Sequence, residues 1–170
     1  MLCLLALTAA LGAVEFVFPN PVELRRSGGC ILLVNARDKQ EMLIVPENIV
    51  AVIPAARNDN NDFTQIVMSG DGTIIRLQQR SNPGEQVVAT LAALGFAFVE
   101  TVSDRDLREQ ERYLINIRRV TLVERKRTES ERSDTVIYYL GGTGQTASFT
   151  INQSGEAYEL LRQAVAQAKR

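Results

Sequence analysis

MLIVPENIVAVI, residues 42–53, has the same apolar pattern as YLINIRRVTLVE, residues 113–124, which lies 71 positions further along the chain. The same offset relates SNPGEQ (81–86) to NQSGEA (152–157). Self-similarity at one fixed period indicates a structural unit that occurs twice in one chain. We therefore predict an internal duplication whose two copies fold alike.

Each copy has the pattern of four short strands followed by a helix. Apolar runs rich in β-branched residues, bounded by clusters of turn-forming residues, are typical of strands. Pro46 interrupts the second strand of the first copy, because proline cannot donate a hydrogen bond to a central ladder. The predicted strands are 30–34, 42–45 with 48–53, 65–69 and 73–79 in the first copy, and 96–102, 113–117 with 120–124, 135–140 and 147–151 in the second.

The connections between these strands are predicted from their polar and glycine-rich composition. Longer loops are expected at NDNND (58–62) and RKRTESERSD (125–134), and hairpin turns at the glycines of 70–72 and 141–144. The segment 103–112 joins the first two strands of the second copy and mixes charges of both signs at helical spacing, as in Asp104 and Arg108. We expect it to form one or two solvated helical turns.

One helix closes each predicted copy. Pro83 follows the polar residues Ser81 and Asn82, which is typical of a helix start, and Gly95 marks the end of the same helix. Apolar residues at helical spacing predict the buried faces. These are Val87, Val88, Leu91 and Leu94 in the first helix, and Tyr158, Leu161 and Val165 in the second.

Neither copy can bury its apolar face alone, because a short sheet needs a partner layer and a short isolated helix is only marginally stable in water. The sequence therefore predicts an α+β protein with mainly antiparallel sheets and one helix per unit. Three segments are expected: an apolar N-terminal segment (1–18), a first β-rich repeat (19–95) and a second β-rich repeat (96–170).

The first fourteen residues, MLCLLALTAALGAV, carry no charged side chain. A bilayer span needs about 20 apolar residues, so this run is short for a transmembrane helix. Three interpretations stay open: a signal peptide, with small residues at a cleavage site, a buried element of the fold, or a short membrane anchor. Export follows from the first, membrane contact from the third, and a cytoplasmic or assembled protein otherwise.

Composition excludes several chemistries. The chain has no histidine, which removes Ser–His–Asp and Cys–His activation and imidazole metal ligands. Its two cysteines, Cys3 and Cys30, are too few for a four-thiolate zinc site, although they could form one disulfide in an oxidising compartment. The net charge of −1 gives no overall attraction to nucleic acid. We predict a protein without catalytic residues, cofactor or metal.

The order of strands, hairpin and helix resembles known families. The run from Ile31 to Leu91, with its PENIVAVI step, resembles the small flagellar FlbD family. RYLINIRRVTLVE (112–124) is similar to the signature of LytTR-type DNA-binding domains. The whole (ββββα)₂ order resembles the Whirly and PurA-like binders of single-stranded nucleic acid. The last two resemblances imply nucleic-acid binding.

A basic cluster with two nearby tyrosines is the candidate site. On one strand, Arg119, Arg125 and Arg127 would share a face, and aromatic rings beside phosphate contacts suit single-stranded nucleic acid. The candidate residues are Arg118, Arg119, Arg125, Lys126, Arg127, Tyr138 and Tyr139. The alternative is a solvated hairpin end, balanced by neighbouring acidic residues.

Two functional hypotheses follow. The first is a non-catalytic binding or assembly protein that uses a sheet face or edge strands to contact a protein partner or a second copy of itself. The second is a protein that binds single-stranded nucleic acid, or a regulatory DNA-binding protein, through the basic cluster.

Overall fold

The computed structural model describes residues 14–18, 21–58, 61–70, 73–78, 83–103, 111–127, 133–140, 146–152 and 155–168. These residues form an α+β fold, as predicted. The strands are β1 (Glu15–Phe18), β2 (Val22–Ser27), β3 (Cys30–Asn35), β4 (Glu41–Ile44), β5 (Ile49–Asn58), β6 (Asn61–Met68), β7 (Ile74–Gln78), β8 (Val99–Val102), β9 (Arg112–Ile115), β10 (Val120–Arg127), β11 (Ser133–Leu140) and β12 (Thr146–Ile151). The helices are α1 (Pro83–Ala93) and α2 (Gly155–Ala168), and two 3₁₀ turns are η1 (Pro46–Asn48) and η2 (Ile117–Arg119).

The strands form one large sheet and two small ones. The large sheet has the order β1-β7-β6-β5-β9-β8, and the small sheets have the orders β2-β3-β4 and β10-β11-β12. Neighbouring strands are antiparallel except β1, which runs parallel to β7. The mainly antiparallel character predicted from the sequence is confirmed.

Strand β5 lies between two hydrophobic cores. Ile49 and Val52 belong to the first core, together with Leu91 of α1. Ile53 belongs to the second core, together with Leu161 of α2. Successive side chains of a strand point to opposite faces, so a strand that is apolar on both faces can join two cores. β5 therefore links the two halves of the chain.

From β4 to the closing helix, the elements of the first half recur in the same order in the second half at a nearly constant offset. β4, η1 and the start of β5 precede β9, η2 and the start of β10 by 71 residues, and the later strands and helix starts follow at 72. Each half ends in a helix over a three-stranded antiparallel ladder. The long-range pairing differs, because β9 pairs with β5 whereas β4 pairs with β3 alone among the described strands. Descent from one duplicated ancestor stays a prediction.

Several boundaries differ from the sequence-based expectations. β5 and β6 extend into the predicted loop 58–62, and β10 and β11 extend into the predicted loop 125–134. Antiparallel ladders continue past the apolar core because each added pair satisfies backbone groups regardless of side-chain polarity. β10 thus carries Arg125, Lys126 and Arg127 opposite Thr135, Asp134 and Ser133.

The N-terminal region adds two strands that the sequence pattern did not indicate. β1 covers residues of the predicted N-terminal segment, and β2 (VELRRS) contains few apolar residues. Both gain their structure from pairing, with β7 and β3 respectively. Residues 1–13, the hairpin centre 71–72 and the turn at 141–144 lie outside the described residues, as does most of the segment 103–112. Cys30 is half-buried, and its candidate disulfide partner Cys3 also lies outside the described part.

The ends of α1 follow the local signals in the sequence. Pro83 is its first residue, and Gly95 lies just past its end with φ of 82°. The Phe96 N–H donates to the Leu91 carbonyl at 3.1 Å, and the Gly95 N–H donates to the Ala92 carbonyl at 3.0 Å. This is the Schellman arrangement, in which a glycine in the left-handed region ends the helix. The predicted start and end of α1 are confirmed.

Gly84 gives a direct test of how α1 packs on β5. A Cβ at this position would overlap the Pro54 carbonyl oxygen, whereas a Cβ on Gly155, which aligns with Gly84 at an offset of 71 and is the first residue of α2, would meet no atom within 4 Å. We expect Gly84→Ala to lower the free energy of unfolding by about 1–3 kcal/mol through overpacking. Gly155→Ala is the matched control, expected to be neutral or stabilising by up to about 1 kcal/mol. Denaturant unfolding of both variants checks this, and equal effects would contradict the packing described.

Candidate interaction site

The junction between β5 and β9 joins the two halves through backbone pairing. Ala51 pairs with Ile115 and Val52 pairs with Leu114. The ladder continues by one more hydrogen bond, in which the Asn116 N–H donates to the Val50 carbonyl at 2.8 Å. Four apolar side chains of this junction are buried in the two cores. The junction therefore combines ladder hydrogen bonds with apolar burial.

Asn116 fixes this junction with its side chain. Its amide donates to the Ile49 carbonyl at 2.9 Å and its side-chain oxygen accepts from the Arg118 N–H at 3.2 Å. The residue is buried, so these bonds satisfy groups that water does not reach. Position 45, at the corresponding place after β4, is valine, which has no side-chain donor or acceptor. The first half therefore has no equivalent of the hydrogen bonds that the Asn116 side chain forms.

The two 3₁₀ turns lie side by side next to this junction. The Arg119 guanidinium donates to the Glu47 carbonyl and also contacts the side-chain oxygen of Asn48. Arg118 and Arg119 line a cavity of about 470 Å³ together with Glu47, Phe96 and Asn116. The cavity carries charges of both signs and does not select an anion or a cation by charge alone.

Strands β4 and β10 are each paired on one side only within the described part of the chain. Leu43 and Leu122 are both 56% exposed, and Val45 is 40% exposed. At an offset of 71, Leu43 corresponds to Leu114 and Leu122 to Ala51, which are 6% and 0% exposed in the β5–β9 junction. Val45 corresponds to Asn116. We call β4 with Val45, and the apolar start of β10 (Val120–Val123), the open edges.

The structure divides the predicted basic cluster between different places. Arg118 and Arg119 belong to η2, so they do not continue the strand as expected. The register of β10 against β11 also shifts between Val120 and Leu122, which changes the alternation that the prediction assumed. Within β10, Arg125 and Arg127 alternate with Lys126, which places Lys126 on the opposite face. The five basic residues do not share one surface.

Arg125 is engaged with α2. Its guanidinium lies 4.8 Å from the centroid of the Tyr158 ring and donates to the Gly155 carbonyl at 3.1 Å. It also lies 3.5 Å from the Glu159 carboxylate. A cation over an aromatic face at this distance is attracted to the ring. Arg125 therefore holds β10 against the helix, and phosphate binding would compete with these contacts.

The two tyrosines lie on opposite faces of β11. Tyr138 is half-buried and its hydroxyl donates to the Glu124 carboxylate at 2.6 Å, a bond that raises the pKa of Tyr138 above its ordinary value. Tyr139 is buried, and its ring lies 6.3 Å from that of Phe149. Burial raises the pKa of Tyr139. Of the two rings, only that of Tyr138 is therefore exposed enough for base stacking, and it lies beside the acidic Glu124.

Neither helix within the described ranges is long and apolar enough to cross a membrane. The same ranges contain no group of three or more cysteine, aspartate or glutamate side chains placed to hold a metal ion.

Comparison with known proteins gives no match. No protein-family model matches the sequence, and no curated protein or solved structure is significantly similar to the chain. The resemblances to FlbD, LytTR-type, Whirly and PurA-like proteins stay predictions from the sequence pattern.

The role of Asn116 can be tested by removing its amide. We expect Asn116→Ala to lower the free energy of unfolding by about 1–3 kcal/mol, because the Ile49 carbonyl and the Arg118 N–H lose a buried partner. Ser148→Ala, at an exposed position of β12, is the control and is expected within about 0.5 kcal/mol of the parent. Urea unfolding measures both. A variant at 116 as stable as the control would mean that the amide does not hold the junction.

Proposed function

We propose that this protein is a non-catalytic binding or assembly protein that acts through the open edges of its sheets. The observation that carries the proposal is the exposure of Leu43 and Leu122, whose counterparts in the β5–β9 junction are buried. A strand edge presents unpaired N–H and C=O groups, and adjacent apolar side chains add burial to any pairing. Both sources of affinity coincide at the open edges.

The charge distribution along β10 limits which part of this strand can pair. Its first four residues, Val120–Val123, are uncharged, whereas Glu124, Arg125, Lys126 and Arg127 fill the rest. Charged residues on an edge strand oppose indiscriminate pairing. The apolar start therefore offers a short pairing segment, while the charged end disfavours extended aggregation. This pattern supports a specific partner.

Other strand edges provide a weaker basis for the same function. β1 is an edge strand with exposed Phe16 and Val17, but it follows residues 1–13, which lie outside the described part. The outer strand β2 has polar residues at most positions. The open edges of β4 and β10 differ because a paired counterpart of each is present in the same chain.

Charge substitution at the open edges tests the proposed function. Leu43→Lys and Leu122→Lys each place a charge at a position that is exposed in the isolated chain, so folding should be retained. Burying a leucine contributes about 1.5–3 kcal/mol, so we expect each substitution to weaken complex formation about tenfold or more. Leu160→Lys, at an exposed apolar position of α2, is the matched control.

The measurement compares complexes formed by the parent and the three variants. Light scattering after size-exclusion chromatography reports self-association, and affinity capture from an extract of the source cells reports other partners. The proposal expects at least one complex to be lost with Leu43→Lys or Leu122→Lys and retained with Leu160→Lys. If all four proteins form the same complexes, or none forms any, the open edges have no binding role.

A further inference from the structure

We propose that the two open edges pair with each other between copies of this chain, with β4 of one copy antiparallel to β10 of a second copy. This inference rests on the proposed function and names its partner. The chain already contains one junction of this kind, because β9 pairs with β5, and these strands are the counterparts of β4 and β10 at an offset of 71. The intermolecular contact would repeat that junction.

The existing junction fixes the register of the proposed one. Moving each of its pairs by 71 positions places Leu43 opposite Val123, and Ile44 opposite Leu122. All four side chains are apolar, and directly opposite residues of antiparallel strands lie on the same face in contact. The two leucines that are exposed in one copy would each gain an apolar neighbour from the other copy.

A shared irregularity supports this register. The pairing of β5 with β6 shifts between Ile49 and Ala51, and the pairing of β10 with β11 shifts between Val120 and Leu122. The two bulges occur at corresponding positions of the two halves. In β5 the bulged residue is Val50, and its carbonyl accepts a hydrogen bond from the N–H of Asn116, the residue after β9. β10 therefore has the same backbone irregularity at the point where β4 would end.

The flanking charges agree with the same alignment. Met42 would face Glu124, and one step further Glu41 of β4 would face Arg125 of β10, a pair of opposite charge that would compete with the 3.5 Å contact between Arg125 and Glu159. Opposite charges directly across an antiparallel pair are favourable, whereas like charges are unfavourable. The two small sheets would then join across the interface in the order β2-β3-β4-β10-β11-β12, in which β3-β4-β10-β11-β12 correspond to β8-β9-β5-β6-β7 of the large sheet.

A second copy is the partner that this surface fits. Each copy offers one β4 edge and one β10 edge, and the proposed register places two apolar pairs and one pair of opposite charge across them. Within the described chain the two edges are not paired, although the turns η1 and η2 that follow β4 and precede β10 are in contact. Pairing between copies leaves that contact in place.

Disulfide trapping tests the register directly. Leu43→Cys and Val123→Cys are made as separate single-cysteine chains in which Cys3 and Cys30 are replaced by serine, and one chain is isotope-labelled. Antiparallel pairs have Cα atoms about 4.5–5.5 Å apart, which suits a disulfide. After mild oxidation of the mixture, we expect a dimer that contains one chain of each kind, identified by mass. Its yield should exceed that of the control mixture at least tenfold.

The control mixture combines Leu43→Cys with Arg127→Cys, which lies four residues further along β10. Four strand residues span about 13 Å, so this pair should not form a disulfide. Equal yields in the two mixtures would overturn the proposed register. A chain carrying both Leu43→Cys and Val123→Cys is oxidised at high dilution, and a disulfide within a monomer would show closure inside one copy and overturn the proposal.

The outcome also separates this inference from the proposed function. If no mixed dimer forms, while Leu43→Lys or Leu122→Lys still removes a complex with another protein, the edges bind a different partner and only the second-copy proposal fails. If no mixed dimer forms and the lysine variants change no complex, both proposals fail together.

Discussion

The pairing of β9 with β5 is the constraint on which the rest of the structure depends. β5 contributes buried residues to both cores, so the core of each half is complete only when this strand is in place. β9 then fixes the edge of β5 through the ladder, and the buried amide of Asn116 adds a bond to the Ile49 carbonyl. Because an unsatisfied buried amide is costly, the junction has one favoured register.

The same constraint explains why the two halves are not equivalent. In the second half, the residue after β9 is an asparagine whose side chain spans the junction, and the strand it meets is β5 of the first half. In the first half, the residue after β4 is Val45, which cannot form such bonds. One junction closes within the chain, while its counterpart is left as two apolar edges. The functional proposals derive from this difference.

Arg112 and Arg125 connect strands of this fold to neighbouring elements. Arg112 bonds to Glu100 at 2.7 Å and to Glu85 at 2.9 Å, so it connects β9, β8 and α1. Arg125 connects β10 with α2 through Tyr158 and the Gly155 carbonyl. Exposed ion pairs contribute about 0–1 kcal/mol each, so these contacts orient helices more than they stabilise the fold. Arg125 is thus one residue of the predicted basic cluster that is already engaged with α2.

Local signals in the sequence locate most of the elements. Apolar runs with turn-forming residues located most of the strands, Pro83 and Gly95 located α1, and the constant offset located equivalent elements in both halves. These features follow from interactions between residues that are close in sequence, such as helix capping and strand alternation. The same reasoning located β4 and β10 as strands, but it did not identify them as edges.

The pairing of the strands, in contrast, follows from tertiary contacts. β1 and β2 are strands because β7 and β3 pair with them, and their own residues give little signal. The alternation in Tyr138 and Tyr139 shows that the two rings point to opposite faces, but the packing of α2 determines that Tyr139 is the buried one. Likewise, β9 and β4 have similar strand patterns, and Asn116 differs in role from Val45 only because β9 meets β5; among the described strands, β9 is paired on both sides and β4 on one. Long-range pairing depends on surfaces distant in sequence, and a linear pattern does not contain that information.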